Sequence, residues 1–234
     1  MSDLIDTTEM YLRTIFELEE EGVLPMRARI RERLAQSGPT VSETVARMER
    51  DGLVMVVAGD HHLELTTAGR EAATRVMRKH RIAECMLVEV IGMPWEDVHS
   101  EACRWEHVIS DAVERRMLEL LGNPTVSPYG NPIPGLQALR PEFDLTESVI
   151  GEVCPLSLIV STELVQVTVR RFGETIQDDA ETMTRLRRVG ALPGALVQVR
   201  RSPGGVSIGS AGEYTELADE VAMFVLVDAA IFDG

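Results

Sequence analysis

Apolar residues recur every three or four positions through Met10, Tyr11, Leu12, Ile15, Phe16 and Leu18, and this spacing predicts a helix that Asp6 with Thr7 or Thr8 can cap and Gly22 stops. A second short helix is predicted over 26–34 and a third over 41–50. Between them lies Gln36-Ser37-Gly38-Pro39-Thr40, a turn whose proline is placed to begin the next helix, and Asp51-Gly52 ends that helix. Leu53 to Val57 and His62 to Thr66 alternate about the turn Ala58-Gly59-Asp60, the pattern of a hairpin. Helix, glycine-containing turn, helix and hairpin make a winged helix-turn-helix, which sets its second helix in a DNA major groove.

Helical spacing resumes from Thr67 to Val90, with no breaker before Gly92 and Pro94, and the region 95–121 is predicted to continue as helix. Its stripe of Ile82, Met86, Leu87, Val108, Ile109, Val113 and Leu118 exceeds what two helices need for their own packing, so a homodimer interface is expected there. Residues 127–135, Ser-Pro-Tyr-Gly-Asn-Pro-Ile-Pro-Gly, cannot be regular helix or central strand, because each proline removes a backbone donor and restricts its neighbour. They are expected to form a polyproline-like tether. Beyond them, 164–170, 195–200 and 223–227 alternate as strands, and the segment is expected to form a small β-barrel. The fold class expected is therefore α+β and multidomain, with a winged helix-turn-helix over 1–74, an all-helical unit over 75–140 ending in the tether, and a β domain over 141–234.

Composition adjusts this picture in two places. The 234 residues, 44% of them hydrophobic, can bury more than one core, yet no apolar run approaches the roughly 18 residues of a membrane span. With no basic and apolar leader at the start, no membrane role and a cytoplasmic location are expected. Three scattered cysteines, Cys85, Cys103 and Cys154, do not make a disulfide framework and fit a reducing compartment. A net charge of −15 opposes DNA binding, but it is unevenly spread. Residues 26–50 hold six arginines against three glutamates, whereas 141–234 hold seven arginines against fifteen acids.

Candidate chemistry is concentrated in His80, Glu84, His99, Cys103, Glu106 and His107, set three and four residues apart on expected helices. Imidazole, thiol and carboxylate groups sharing a helix face are the donor set of a metal site. His80 and Glu84 alone would more often be an exposed i, i+4 pair, and joining them to His99 and Cys103 reverses that balance. Met10 alone is more often core filler, as Cys85 and Cys154 are expected to be small apolar residues. Adjacent His61 and His62 in the wing point to opposite faces of a strand and read as a solvated loop. The arginines at 27, 29, 31, 33, 47 and 50 would pass for a solvated face without the helix-turn-helix around them. A metallohydrolase would need an open coordination position and a general base, for which no motif is present. A sensor of a small organic ligand would need an aromatic-lined pocket, and only 4% of the chain is aromatic.

The stretches Asp6-Thr7-Thr8-Glu9-Met10-Tyr11-Leu12-Arg13-Thr14-Ile15, Gln36-Ser37-Gly38-Pro39-Thr40-Val41-Ser42, Val45-Ala46-Arg47-Met48-Glu49-Arg50-Asp51-Gly52-Leu53, Val76-Met77-Arg78-Lys79-His80-Arg81, Glu101-Ala102-Cys103-Arg104-Trp105-Glu106-His107 and Gly130-Asn131-Pro132-Ile133-Pro134-Gly135-Leu136 resemble the diphtheria-toxin-repressor family of iron-dependent regulators. The resemblance is close through about residue 139 and loose beyond it. It implies a winged helix, a helical dimerisation domain and a C-terminal domain like an SH3 barrel.

Position by position, the resemblance implies one metal site at Met10, Cys103, Glu106 and His107, with the Cys103 carbonyl as a further donor. A second is implied at His80, Glu84 and His99, with Glu174 and Gln177 from the barrel resting on Gly173-Glu174-Thr175-Ile176-Gln177 alone. Arg81, Ser127 and Asn131 stand where the family can hold an anion. Sulfur from Met10 and Cys103 suits Fe²⁺, whereas oxygen and imidazole alone suit Mn²⁺ better, and Co²⁺, Ni²⁺ or Zn²⁺ are expected substitutes. The implied partner is a double-stranded DNA operator, met by Thr7, Arg27, Ser37, Pro39, Thr40, Ser42, Glu43, Arg47 and Arg50 of a homodimer, with one or two dimers per operator. Glu43 departs from the family's glutamine, His61 stands where its wing carries arginine, and Arg31 is added to helix two. An ionised glutamate only accepts hydrogen bonds and would favour cytosine over adenine, unless it pairs with Arg31 instead. The implied action is repression switched on when an ion fixes the first helix.

Overall fold

The computed structural model describes residues 6–141 and 153–228. Helix α1 (Thr7–Glu20) opens on Asp6, whose carboxylate accepts from the Thr8 and Glu9 amides. Helices α2 (Arg27–Leu34) and α3 (Gly38–Arg50) follow. Ser37 caps α3 by accepting from the Thr40 amide, so that helix starts three residues before the expected Val41, and Pro39 lies in the first turn where no amide donor is needed. Strands β1 (Val54–Val56) and β2 (Leu63–Leu65) pair antiparallel as the wing, whose tip turns through His61 at φ +61°. Tyr11, Ile15, Ile30, Val45, Met48, Leu63 and Met77 bury the apolar faces of all these elements in one core.

Helix α4 (Thr67–Met86) runs unbroken through the boundary expected at 74/75 and ends in a π turn, Leu87–Ile91, closed by Gly92 at φ +76°. The continuous helix expected over 95–121 is divided into a 3₁₀ turn at Trp95–Asp97, α5 (Val98–Trp105) and α6 (Asp111–Leu120). Ser110 accepts from the Val113 amide and starts α6 afresh, so cap chemistry breaks a run whose apolar spacing alone reads as continuous. The expected dimer stripe also divides. Ile82, Met86, Leu87, Ile109 and Leu118 are consumed by the chain's own core, while Val108 and Val113 stay exposed, as do Val90, Ile91 and Leu120.

The proline-rich run is not a tether. Tyr129 and Ile133 are 0% and 1% exposed, the Tyr129 hydroxyl donates to the Trp95 carbonyl at 2.7 Å, and Trp95 Nε1 donates to the Pro128 carbonyl at 3.1 Å. The prolines exclude helix and strand, while the residues between them supply the packing.

The C-terminal part contains β3 (Val153–Pro155), α7 (Leu156–Ile159), β4 (Val165–Phe172), α8 (Glu174–Gln177), α9 (Ala180–Arg188), β5 (Leu196–Ser202), β6 (Gly205–Ser210), β7 (Glu213–Leu217), α10 (Asp219–Ala222) and β8 (Val225–Asp228). Its strands form one antiparallel sheet in the order β3-β8-β4-β5-β6-β7. The composition is that of the expected SH3-like domain, but among the described residues the sheet is open, with β3 and β7 as its edges. The strap of residues 127–135 joins the helical unit to it: the Phe172 amide donates to the Tyr129 carbonyl at 3.0 Å, and Asn131 Nδ2 donates to the Phe172 carbonyl at 2.8 Å. The two units therefore share a core, in which Trp95 packs on Tyr129 and Phe172.

Gly130 is the tightest point of this junction: its φ is +83°, and an added Cβ would stand 2.0 Å from the Arg170 carbonyl oxygen. Gly130→Ala is expected to cost about 3 kcal/mol or more in denaturant unfolding. Gly38→Ala, where an added Cβ meets nothing, is expected to leave stability unchanged or slightly raised.

Candidate metal centre and DNA face

Helix periodicity brings the first donor set together. His80 and Glu84 are one turn apart on α4, and His99 comes from the facing α5. Gly173 ends β4 and turns the chain into the short α8, which delivers Glu174 and Gln177 from the far side. His80 Nε2 lies 2.8 Å from Glu84 Oε1 and 3.2 Å from His99 Nδ1, and Glu174 Oε2 lies 3.4 Å from His99 Nδ1. One ligand atom from each of these four residues falls within 4.8 Å of every other, and all four are buried. Gln177 is buried beside them, spending its Nε2 on the Phe172 carbonyl at 2.9 Å.

The second expected set is not gathered in the same way: Cys103 forms a close group with His80 and His99 of the first set, and Glu106 and His107 follow where α5 ends. The helix stops at Trp105, so Glu106 and His107 lie in the following turn and not, as expected, on the helix. His107 Nε2 is 3.3 Å from Glu106 Oε1, and its Nδ1 is 2.7 Å from Glu9 on α1. Met10, the next residue along α1, is half-buried. Between Cys103 and Glu106 stands the Arg13 guanidinium, with Nη1 2.9 Å from Cys103 Sγ and 2.9 Å from Glu106 Oε2. Spacing gives no sign of Arg13, because a basic residue on α1 meets these groups only through the fold.

The two sets touch. His80 Nδ1 is 2.7 Å from Glu106 Oε2 while its Nε2 faces Glu84, and Cys103 Sγ lies 3.6 Å from His99 Nε2. Mutual charge shapes every group. Burial works against charge on His80 and His99, yet Glu84 beside His80 and Cys103 beside His99 hold both imidazoles well above their ordinary pKa. Burial pushes the Glu84 carboxyl up, but the two histidines bring it down to about 2. Burial likewise opposes the Cys103 thiolate, and Arg13 and His99 outweigh it and bring the thiol to about 5. Cys85, by contrast, is pushed well above the usual thiol range by burial, as expected of a small apolar residue.

These residues fit a cation. Glu84 Oε2 and Gln177 Oε1 are buried acceptors without a hydrogen bond, and Glu106 Oε1 and Glu174 Oε2, also buried, face imidazole nitrogens at 3.3 and 3.4 Å without forming one. Such atoms are costly to leave unpaired, and all four belong to expected ligands.

The expected anion group is arranged differently. Arg81 is fully buried, but its guanidinium already donates to Glu20 of α1, to Glu174 of α8 and to the Pro132 carbonyl at 2.6 Å. Ser127 Oγ accepts from the Tyr129 amide at 3.2 Å, and Asn131 donates to the Phe172 carbonyl. Arg81 thus ties α1, α4 and α8 together through protein carboxylates.

On the DNA side, Ser37, Pro39, Thr40, Ser42, Glu43, Arg47 and Arg50 are exposed, opposite the buried Val41, Thr44, Val45 and Met48 of α3. Thr7 is exposed at the start of α1, and Arg27 is half-buried. Glu43 makes no ion pair among the described residues, Arg31 included. α1 and its C-cap meet this part of the chain through side chains: Tyr11 donates to Gln36 in the turn before α3, and Arg33 of α2 pairs with Glu21 and lies 3.9 Å from Glu17.

A family model described as the iron dependent repressor N-terminal DNA binding domain matches residues 3–63, and one described as the iron dependent repressor metal binding and dimerisation domain matches 66–135. The chain is 56% identical over 230 residues to the iron-dependent repressor IdeR of Mycobacterium leprae, covering 97% of this chain and 99% of that protein. It is 48% identical over 228 residues to the diphtheria toxin repressor of Corynebacterium diphtheriae, covering 97% and 99%. Among solved structures, IdeR of T. acidophilum superposes with a TM-score of 0.74 at 25% identity, over 95% of this chain and 98% of that one. A manganese-dependent transcriptional repressor in complex with manganese gives 0.74 at 26% identity, over 94% and 99%. With both family domains matched in order and relatives this similar along nearly the whole chain, the protein belongs to the iron-dependent repressor family.

Proposed function

We propose that this chain is a ferrous-iron-activated repressor that binds operator DNA as a homodimer in the cytoplasm. The working units are 1–74, 75–140 and 141–234. Met10, Cys103, Glu106 and His107 form one ion site, and His80, Glu84, His99, Glu174 and Gln177 form the other. The observation that supports the reading is the cluster of buried ligand-type atoms from α4, α5 and α8, around which four side-chain oxygens make no hydrogen bond. Met10, Cys103, Glu106 and His107 would hold Fe²⁺, and the ion would supply a divalent charge linking α1 to the end of α5. From there this chain's own residues act: Tyr11 fixes the turn before α3, and Arg33 fixes α2, so the position of α1 sets that of the DNA-reading helix. An ion can favour that arrangement only by its differential affinity for it.

The sulfur donors favour iron at the first site. Manganese is the second reading, supported at the second site by a donor set of imidazole and oxygen alone. Catalysis is disfavoured because His80, Glu84, His99 and Glu174 are at most 4% exposed, which leaves no path for a substrate. Arg81, Ser127 and Asn131 admit an anion only where it replaces Glu20 or Glu174 on Arg81. The face of Thr7, Arg27, Ser37, Pro39, Thr40, Ser42, Glu43, Arg47 and Arg50 meets the duplex, with Val90, Ile91, Val108, Val113 and Leu120 as the apolar surface left for pairing two chains.

Promoter mobility shift tests the proposal directly. Ferrous-loaded protein is expected to shift the fragment and chelator-treated protein to leave it free, with Met10→Ala requiring at least about tenfold more protein, or about 1.4 kcal/mol, at the same iron concentration. Equal occupancy with and without metal refutes the reading. Glu43→Gln is expected to move base preference from cytosine toward adenine at one position of each half-site, read by base-by-base substitution; an unchanged preference removes Glu43 from readout.

The raised histidines set the pH dependence. A raised pKa means that His80 and His99 keep their protons to higher pH than free imidazoles do, and those protons must leave before the imidazoles can ligate. Cys103, at about 5, is already thiolate at neutral pH. Metal binding at pH 7 is therefore expected to release protons and to strengthen as pH rises. Calorimetry in buffers of different ionisation enthalpy measures this, and uptake or no exchange would contradict it.

A further inference from the structure

Arg13 lies on α1 one turn beyond Met10 and is only 13% exposed. Its Nη1 stands 2.9 Å from Cys103 Sγ, 2.9 Å from Glu106 Oε2 and 3.3 Å from His80 Nδ1. Its Nε stands 2.8 Å from Glu17 Oε1. A divalent ion such as zinc sits about 2.3 Å from a thiolate sulfur and about 2.1 Å from a carboxylate oxygen. An ion bound to Cys103 Sγ and Glu106 Oε2 would fall inside the contact distance of Nη1, and an ion bound to Sγ and the other oxygen, Oε1, would still share the same buried thiolate and carboxylate with the guanidinium. Two cations that close repel strongly in a buried site, so the guanidinium and the ion compete for these two anions.

We infer that Arg13 is an internal competitor for the metal, a residue that neutralises Cys103 and Glu106 until an ion arrives and then withdraws onto Glu17. This rests on the reading that Cys103 and Glu106 are ligands. Glu17 is placed to receive it, being 4% exposed and already in contact with Nε. The same carboxylate has its other oxygen 3.9 Å from Arg33 of α2. Withdrawal of Arg13 therefore changes the charge balance at the junction between α1 and the helix-turn-helix. Arg13 sets the metal concentration at which the site fills, a threshold that the ligands alone would place lower.

The test titrates chelator-stripped full-length protein with Co²⁺ at pH 8, following the near-ultraviolet thiolate-to-cobalt absorption as well as thermal unfolding. In Arg13→Gln the Co²⁺ concentration at half-maximal absorption is expected to fall at least fivefold. Its unfolding midpoint is expected to fall in chelator yet match the wild type at saturating Co²⁺. Arg13→Lys, which keeps the charge, stays nearer the wild type. Glu17→Gln, which removes the receiving carboxylate, is expected to raise the half-maximal concentration and keeps the test open should Arg13→Gln fail to fold. Unchanged or weaker cobalt binding in Arg13→Gln, or an unchanged midpoint of titration in Glu17→Gln, overturns the competition. A wild-type protein without the sulfur-linked absorption instead refutes Cys103 as a ligand, a failure of the ligand assignment distinct from a failure of competition.

Discussion

The rest of the structure depends on a compensated knot of buried charge. His80, Glu84, His99, Cys103, Glu106, Glu174 and Arg13 lie together at the junction of α1, α4, α5 and α8, largely out of water. A displaced apolar side chain loses contacts worth only about 0.1–0.2 kcal/mol per atom pair and leaves no charge behind. A displaced buried charge leaves its partner unpaired, and an uncompensated ion in a low dielectric costs several kcal/mol. Each element that donates a charge here is thus held in place by the others, and a change in the positive charge available must be answered by movement or protonation.

Arg81 extends the constraint beyond the knot. Its fully buried guanidinium holds Glu20 near the end of α1 and Glu174 at the start of α8, so the winged helix, the helical unit and the sheet meet at one side chain. The strap at 127–135 supplies the apolar counterpart, with Tyr129 and Ile133 inserted between the helices and the sheet. The polar and apolar connections act on the same junction. Glu174 is brought to the buried cluster of His80, Glu84 and His99 because Phe172, two residues earlier, is anchored to the strap through Tyr129 and Asn131.

The reach of the sequence follows from this arrangement. Elements defined by local chemistry are legible in it: the helix-turn-helix through Ser37 and Pro39, the wing through its alternation, and the His80–Glu84 and His99–Cys103 pairs through helical spacing. Features that depend on distant contacts are not. Residues 127–135 read as a tether because prolines dominate the local signal, whereas the burial of Tyr129 is decided by Trp95 and Phe172. Strand β6, Gly-Val-Ser-Ile-Gly-Ser, escapes pattern reading because its glycines carry no side chain, yet an added Cβ at Gly209 would stand 1.9 Å from the Glu213 carbonyl of β7, so close pairing requires them. Arg13 is invisible for the same reason: no spacing along the chain relates it to Cys103, 90 residues away.

The position of Arg13 also bears on how a binding event of modest energy can redirect a whole domain. The proposed DNA face lies on α3, remote in the chain from the buried donors, and α1 has contacts with both. That helix carries Met10, Tyr11, Arg13 and Glu17 within two turns. Tyr11 reaches the turn before α3, Arg13 reaches the donors, and Glu17 lies between Arg13 and Arg33 of α2. Neighbours at three and four residues share a helix face, so a displacement at the donor end moves the groups at the DNA end as part of one rigid body. A switch built on a single helix needs no extended pathway of repacked side chains, only two arrangements of α1 whose free energies differ by a few kcal/mol and a cation that favours one of them.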